Sequence, residues 1–358
     1  MESSIHPLPA EYRAISGKTA IQRIRKIKQR LGDRLVILGH HYQRDSIVEI
    51  SDFVGDSFDL SRRAANLEKA EFIVFCGVRF MAESAAVLAK PHQKVIHPDP
   101  DAGCPLADFA PAGMVKNAWK ELETVLNIQK VMPVVYVNSS AALKAFVGDH
   151  GGTTCTSSNA RKAFEWALRQ REKVFFFPDR NLGKNTANFL RIPDEQVADW
   201  DPYIPFGGLA KEEILKARVL LWKGYCHVHT WFRKYHVEQA RENYPEAAII
   251  VHPECDPAVV RAADGNGSTK FIVAYVRQAP AGSTIVIGTE INLVNRLADQ
   301  NPDKKIVPLS KSPCPNMGKV SPNDVLFVLE NLGEVNVVCL PKPVITSAGK
   351  ALQRMLDL

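Results

Sequence analysis

Three near-continuous apolar stretches recur along the chain: Leu35-Val-Ile-Leu-Gly-His40, Pro133-Val-Val-Tyr-Val-Asn138 and Ala247-Ala-Ile-Ile-Val-His252. Runs that are apolar throughout, rather than alternating, predict strands buried in parallel sheets. An amphipathic helical pattern precedes each one, over residues 19–31, 115–128 and 232–243. Roughly 16 to 19 residues after each run comes a short hydroxyl-rich cluster: Gly55-Asp56-Ser57, Thr156-Ser157-Ser158-Asn159 and Gly267-Ser268-Thr269. A helix is predicted after every cluster, for instance over 58–67 and 160–169. Then a second apolar run appears, at 72–76, 174–177 and 283–287. From His40, Asn138 and His252 to the residue that follows this second run (Gly77, Pro178 and Gly288), the spacing is 37, 40 and 36 residues.

Landmarks that recur three times in one order describe a repeat, and alternation of strands and helices describes doubly wound parallel sheets. The expected fold is therefore α/β, with three similar doubly wound units in a pseudo-threefold arrangement around a central site. The units are expected at 18–112, 113–230 and 231–320. Residues 321–358 are expected to form a helix–strand–helix tail packed back on one unit of this core.

Ligands of open parallel sheets bind beyond the carboxyl ends of the strands. Each first strand ends in polar residues two apart: His40 and Tyr42, Tyr136 and Asn138, His252 and Glu254. On a strand such pairs share a face. His252, of a residue type that titrates near neutrality, and Glu254 form the best acid–base pair, with a structural hydrogen-bonded pair as the plain alternative. The hydroxyl clusters lie where helices begin, so Asp56, Ser57, Ser157 and Thr269 read either as N-caps or as sockets for an anion. Three at matched positions favour carboxylate or phosphate binding. Each unit also supplies one cysteine in a turn-like context: Cys104, Cys226 and Cys314. Three thiolates would leave one iron of a 4Fe–4S cluster without a protein ligand. A zinc site that includes Cys226 and His229 is equally compatible with the spacing. Cys76, Cys155, Cys255 and Cys339 read as structural, with Cys76 and Cys339 inside strands.

Composition narrows the classes further. At 358 residues, 46% of them apolar and 23% charged, the chain is ordinary globular protein too long for one core. No apolar run is long enough to span a bilayer. Residues 1–17 show no basic-then-apolar leader, so a cytoplasmic location is expected. The net charge of +6 is concentrated only at Arg23–Arg30, which reads as a solvated helix face and not as a nucleic-acid surface. Seven cysteines without a leader point to metal chemistry and not to disulfides.

With those residues in view, the chain resembles the quinolinate synthase family from about Leu35 to Met317. The resemblance rests on Gly39-His-His-Tyr-Gln43, Asp52-Phe-Val-Gly-Asp-Ser57, Gly103-Cys-Pro105, Tyr136-Val-Asn-Ser139, Cys155-Thr-Ser157, Pro178-Asp-Arg-Asn-Leu-Gly183, His252-Pro-Glu-Cys255, Gly267-Ser-Thr269, Ile287-Gly-Thr-Glu290 and Cys314-Pro-Asn-Met317. It implies three α/β domains about a pseudo-threefold axis, and a 4Fe–4S cluster on Cys104, Cys226 and Cys314 with one open iron as Lewis acid. The implied reaction condenses iminosuccinate with dihydroxyacetone phosphate to quinolinate, phosphate and two waters, for NAD biosynthesis. Implied substrate contacts are His40, Ser57, Tyr136, Val137, Asn138, Ser157, His252, Pro253, Glu254 and Thr269, with Val137 and Pro253 acting through backbone or packing. Tyr42, His252 and Glu254 take the implied catalytic roles.

The resemblance also implies an aspartate oxidase or dehydrogenase as source of the imine, and iron–sulfur assembly proteins as helpers. Neither nucleic acid nor membrane is an expected partner, and a monomer and a homodimer fit equally. His41 falls where the family varies, His227 adds an imidazole after a cluster cysteine, and Cys314 lacks the Cys-x-x-Cys that gives some relatives a disulfide switch. Two other readings compete. A different iron–sulfur hydro-lyase would act without dihydroxyacetone phosphate. A non-catalytic metal or redox sensor would have no need of paired acid–base groups.

Overall fold

The structure is a computed structural model and describes residues 6–358. Three separate parallel sheets carry the molecule. The first contains β1 (Leu35–His40), β2 (Phe53–Gly55), β3 (Phe72–Cys76) and β4 (Lys94–Ile96), in the order β2-β1-β3-β4. The second contains β5 (Val131–Tyr136), β6 (Thr153–Cys155), β7 (Lys173–Phe177), β8 (Val197–Trp200) and β9 (Val219–Trp222), in the order β6-β5-β7-β9-β8. The third contains β10 (Ala248–Val251), β11 (Gly265–Asn266), β12 (Thr284–Gly288) and β13 (Lys305–Pro308), in the order β11-β10-β12-β13. Three similar α/β units are thus present, with one extra edge strand in the second. In each, the chain order reverses beside the first strand, which opens a crevice at its carboxyl end.

β1 and β5 are buried at every position, as their unbroken apolar runs require. Successive side chains serve different cores. Val36 and Leu38 of β1 join Met132 and Val134 of β5 and Ile250 of β10 in one central cluster. Leu35 and Ile37 face the other way, onto Ala20, Ile24 and Ile27 of the helix Gly17–Leu31. The central cluster fuses the units, and the outer clusters hold each sheet to its own helices.

The tail differs from expectation. Helices Pro322–Glu330 and Lys342–Asp357 form, but no strand forms between them. The apolar residues there make one isolated antiparallel bridge, Ile96 with Val337. Asn336 has φ 52°, outside the extended region, because its side chain is drawn inward. Its Oδ1 accepts from His6 N at 2.8 Å and its Nδ2 donates to Pro98 O at 3.2 Å. Cys339 is accordingly exposed and not in a strand. The tail also spans two units. Pro322–Glu330 packs on Gly17–Leu31, whereas Lys342–Asp357 packs on Ala141–Asp149 and on Arg79–Leu88. The contact with Ala141–Asp149 is backbone against backbone: a Cβ on Gly148 would lie 1.9 Å from Ser347 O. No helix among the described residues is long and apolar enough to cross a membrane.

Candidate active site

The carboxyl ends of the three sheets converge on one cavity with about 690 Å³ of empty space, part of it open to solvent. His40, Tyr42, Ser57, Tyr136, Asn138, Ser157, His252, Glu254 and Thr269 line it, together with Cys104, Cys226 and Cys314. Of the residues singled out in the sequence, only Val137 and Pro253 stand behind the wall. Val137 commits its N–H to Cys155 O at 2.7 Å, and the Pro253 carbonyl accepts from Asn185 Nδ2 at 2.8 Å.

The polar pairs reach the cavity by turns and not by strand pleat. After β1 the chain folds so that Tyr42 N donates to His40 Nδ1 at 3.1 Å. After β10 the same turn recurs, with Glu254 N donating to His252 Nδ1 at 3.3 Å. An imidazole whose Nδ1 accepts carries its proton on Nε2. Burial first, then neighbouring positive groups, pushes His40 well below its ordinary value and His252 down to about 3. Contrary to the near-neutral titration expected for His252, both rings are neutral at physiological pH. Their free edge is an N–H donor, suited to a carboxylate.

The helix starts divide capping from binding. Asp56 caps Ser57–Ala65 by accepting from Asp59 N, and Ser268 caps Thr269–Gln278 by accepting from Phe271 N. In the second unit Asn159 stands at the cap and its Oδ1 accepts from Thr156 N at 2.8 Å. Ser57, Ser157 and Thr269 are therefore not needed as caps, and all three line the cavity at helix starts, where N–H groups favour anions.

A hydrogen-bonded chain crosses the wall. Thr269 Oγ1 donates to Tyr42 Oη at 3.1 Å, and Tyr42 Oη lies 2.8 Å from Thr289 Oγ1. Thr289 Oγ1 is 3.1 Å from His229 Nε2, and His229 Nδ1 is 2.7 Å from Glu254 Oε2. Tyr136 donates to the other oxygen of Glu254. Because a carboxylate only accepts, His229 Nδ1 carries a proton, and each hydroxyl in turn can donate toward Glu254. Burial pushes Glu254 up, but His229 and the donated bonds outweigh it and hold the carboxylate below its usual range. Burial pushes the Tyr42 and Tyr136 phenols well above theirs, and Glu254 adds to this. At neutral pH the chain thus contains an ionised acceptor at one end and protonated phenols beside it.

His229 and Thr289 were not singled out as catalytic in the sequence. His229 was named only as part of a possible zinc shell, and Thr289 lay inside a motif with no assigned role. His229 is stacked on His252 at 4.1 Å and is fully buried. His41, His97 and His150 lie outside the chain of bonds, the last two bonded to Gly77 O and Phe146 O.

The three cysteines fit a cluster by their chemistry. One comes from each unit, all are reduced, and all face the same cavity. Burial pushes Cys104 up to about 12 and raises Cys226 and Cys314, so only a bound metal would hold them as thiolates. Cys76, Cys155 and Cys255 are buried away from the cavity wall.

A family model described as quinolinate synthetase A protein matches residues 22–357. The chain belongs to that family. The quinolinate synthase of Corynebacterium glutamicum is 47% identical over 356 residues, covering 98% of this chain and 90% of that one. Those of a Geobacillus species and of Herpetosiphon aurantiacus are 47% and 48% identical, covering 98% and 99% of this chain and 96% of each relative. As a member of the quinolinate synthetase A family, the chain is an enzyme, and the cavity is its candidate active site.

Proposed function

We propose that this enzyme makes quinolinate for NAD biosynthesis by condensing iminosuccinate with dihydroxyacetone phosphate, releasing phosphate and two waters. The observation that carries the reading is the meeting of three cysteines, one per unit, with a buried acid–base chain in one cavity. Cys104, Cys226 and Cys314 would hold a 4Fe–4S cluster, which when bound supplies an open iron as Lewis acid toward a departing hydroxyl.

The protein's own groups account for the remaining work. The Nε2–H edges of His40 and His252 bind the carboxylates of iminosuccinate. Ser57, Ser157 and Thr269 add hydroxyl and helix-start donors, and Tyr136 and Asn138 complete the wall. Val137 and Pro253 contribute by shaping the backbone behind it. Glu254 takes a proton from substrate carbon. Tyr42 gives one to a leaving oxygen, and Thr289 and His229, which donate toward Glu254, hold the phenol and the carboxylate in place. His252, stacked on His229, orients that imidazole and touches substrate itself. Two partly desolvated reactants held this way react as an intramolecular pair.

The same reading assigns the units to 18–112, 113–230 and 231–320 with the tail at 321–358. It gives the enzyme a cytoplasmic location, a supplier of the imine of aspartate oxidase or dehydrogenase type, and outside proteins for cluster assembly. The test is quinolinate formation by anaerobically purified protein, with iron counted on the same sample. Quinolinate with about four irons per chain, both lost in Cys314→Ala, is the expected result. A full cluster without product would overturn the reaction and leave a hydro-lyase.

A further inference from the structure

Cys226, His229 and Glu254 each offer one ligand atom, and the three atoms lie within 4.8 Å of one another. Thiolate, imidazole and carboxylate together form a donor set suited to zinc, whose bonds of about 2.0–2.3 Å leave such atoms a few ångströms apart. The outer contacts a zinc site needs are already in place. His229 Nε2 lies 3.1 Å from Thr289 Oγ1, so the imidazole can bind metal through Nδ1 while its other nitrogen is held. Tyr136 holds the second oxygen of Glu254. Cys226 and His229 are fixed relative to each other by one helical turn, with Thr230 N donating to Cys226 O at 2.9 Å. All three ligands line the open cavity, which gives an entry path and a fourth position for water.

We propose that, in its cluster-free form, the protein binds one Zn²⁺ at Cys226, His229 and Glu254. Binding displaces the Cys226 thiol proton, while the His229 proton moves from Nδ1 to Nε2 and is held there by Thr289, so one proton leaves for one metal. The ion then holds a thiolate that cluster assembly requires, together with the carboxylate and imidazole of the acid–base chain. Zinc is thus a competitive blocker of cluster insertion. Only this consequence rests on the three-cysteine reading of the cluster; the binding itself does not.

The test is an anaerobic titration of cluster-free full-length protein with Zn²⁺ alone, and with Co²⁺ as its spectroscopic substitute. One ion per chain is expected, with a sulfur-to-cobalt charge-transfer band from a single thiolate. Affinity should weaken about 10- to 100-fold in Thr289→Val, which removes an outer contact, and further in His229→Gln and Glu254→Gln. It should be unchanged in Cys104→Ser and Cys314→Ser, which keep the tripod whole. Zinc-loaded protein should take up no iron until a chelator removes the zinc. Loss of binding in Cys104→Ser and Cys314→Ser with none in His229→Gln would place the ion on the three cysteines and overturn the proposal. So would the absence of saturable binding. Failure to make quinolinate would leave the titration result untouched, so the two readings fail separately.

Discussion

The carbonyls of the turns after β1 and β10 are held from a neighbouring unit, whereas those of the turn after β5 are held from within its own, and the neighbour reaches only its end, where Glu83 accepts from Ala141 N at 2.8 Å. Arg296 and Asn292, on the helix Ile291–Gln300, donate to the carbonyls of His41, Gln43 and Tyr42. Asn185 and Asn181, on the helix Arg180–Phe189, donate to the carbonyls of Pro253, Cys255 and Glu254. The clamping residues are four apart in both helices and begin two residues after the cap. The matching helix of the first unit, Arg79–Leu88, has Phe80 and Ser84 at those positions. Its neighbour's turn is held instead by Lys144, whose buried amine donates to Ser139 O and faces the Phe80 ring at 5.5 Å. The turns that present acid–base groups are positioned by neutral amides or a guanidinium from the next unit. The turn that presents only Tyr136 and Asn138 rests on a buried amine.

The sharpest way to break this comparison is to remove what a clamped turn presents. Glu254→Gln keeps the volume and loses the base, and kcat is expected to fall about 10³-fold, within the range for a lost general base. Loosening the clamps themselves comes next. Arg296→Gln and Asn185→Ala are each expected to cut kcat by up to about 10²-fold with KM changed far less, because displaced groups cost rate more than binding. Equal changes in kcat and KM would make the clamps merely structural. His40→Asn and His252→Asn remove N–H donors aimed at carboxylates. KM for iminosuccinate should rise about tenfold in each, by the cost of a bond to a charged group.

The remaining effect, on stability and not on turnover, concerns the second turn. Burial pushes Lys144 down to about 7 from an unfolded value near 10.5. Between those values the unfolded chain holds a proton that the folded protein lacks. Stability conferred at high pH is therefore lost as pH falls from 10.5 toward 7, by about 1.4 kcal/mol per pH unit. Lys144→Met has no such slope, so its stability relative to the parent should decline as pH rises from 7.5 to 9.5. Denaturant midpoints at the two pH values measure this, and a constant difference would mean that Lys144 stays charged throughout.

Much of this architecture was legible because burial on both faces leaves a strand no polar alternation to display. β1, β3 and β5 could be read directly, and one cysteine per unit followed from the repeat. The tail strand failed for a local reason: Asn336 trades extended backbone for bonds to His6 and Pro98. His229 was weighed only as a zinc ligand, since its role depends on Glu254 and Thr289, which lie 25 and 60 residues away and meet it only after folding. The clamps escaped notice similarly. Asn181 and Asn185 look like ordinary helix residues until the neighbouring turn is docked against them. The neutrality of His252 is a property of burial, which no spacing displays.

The placement of one cysteine in each unit also sets a schedule for synthesis. Cys104 and Cys314 are separated by about 210 residues, so at ribosomal speeds roughly 10 to 40 s pass between the appearance of the first thiol and the last. On the proposed reading of these cysteines as cluster ligands, the early thiols lack a complete set of companions throughout that interval, and any oxidant or stray metal meets them before iron would be secured. A scaffold that splits its ligands among three successive units gains a shared cavity. It also makes the nascent chain dependent on a reducing, metal-policed environment until its final unit docks.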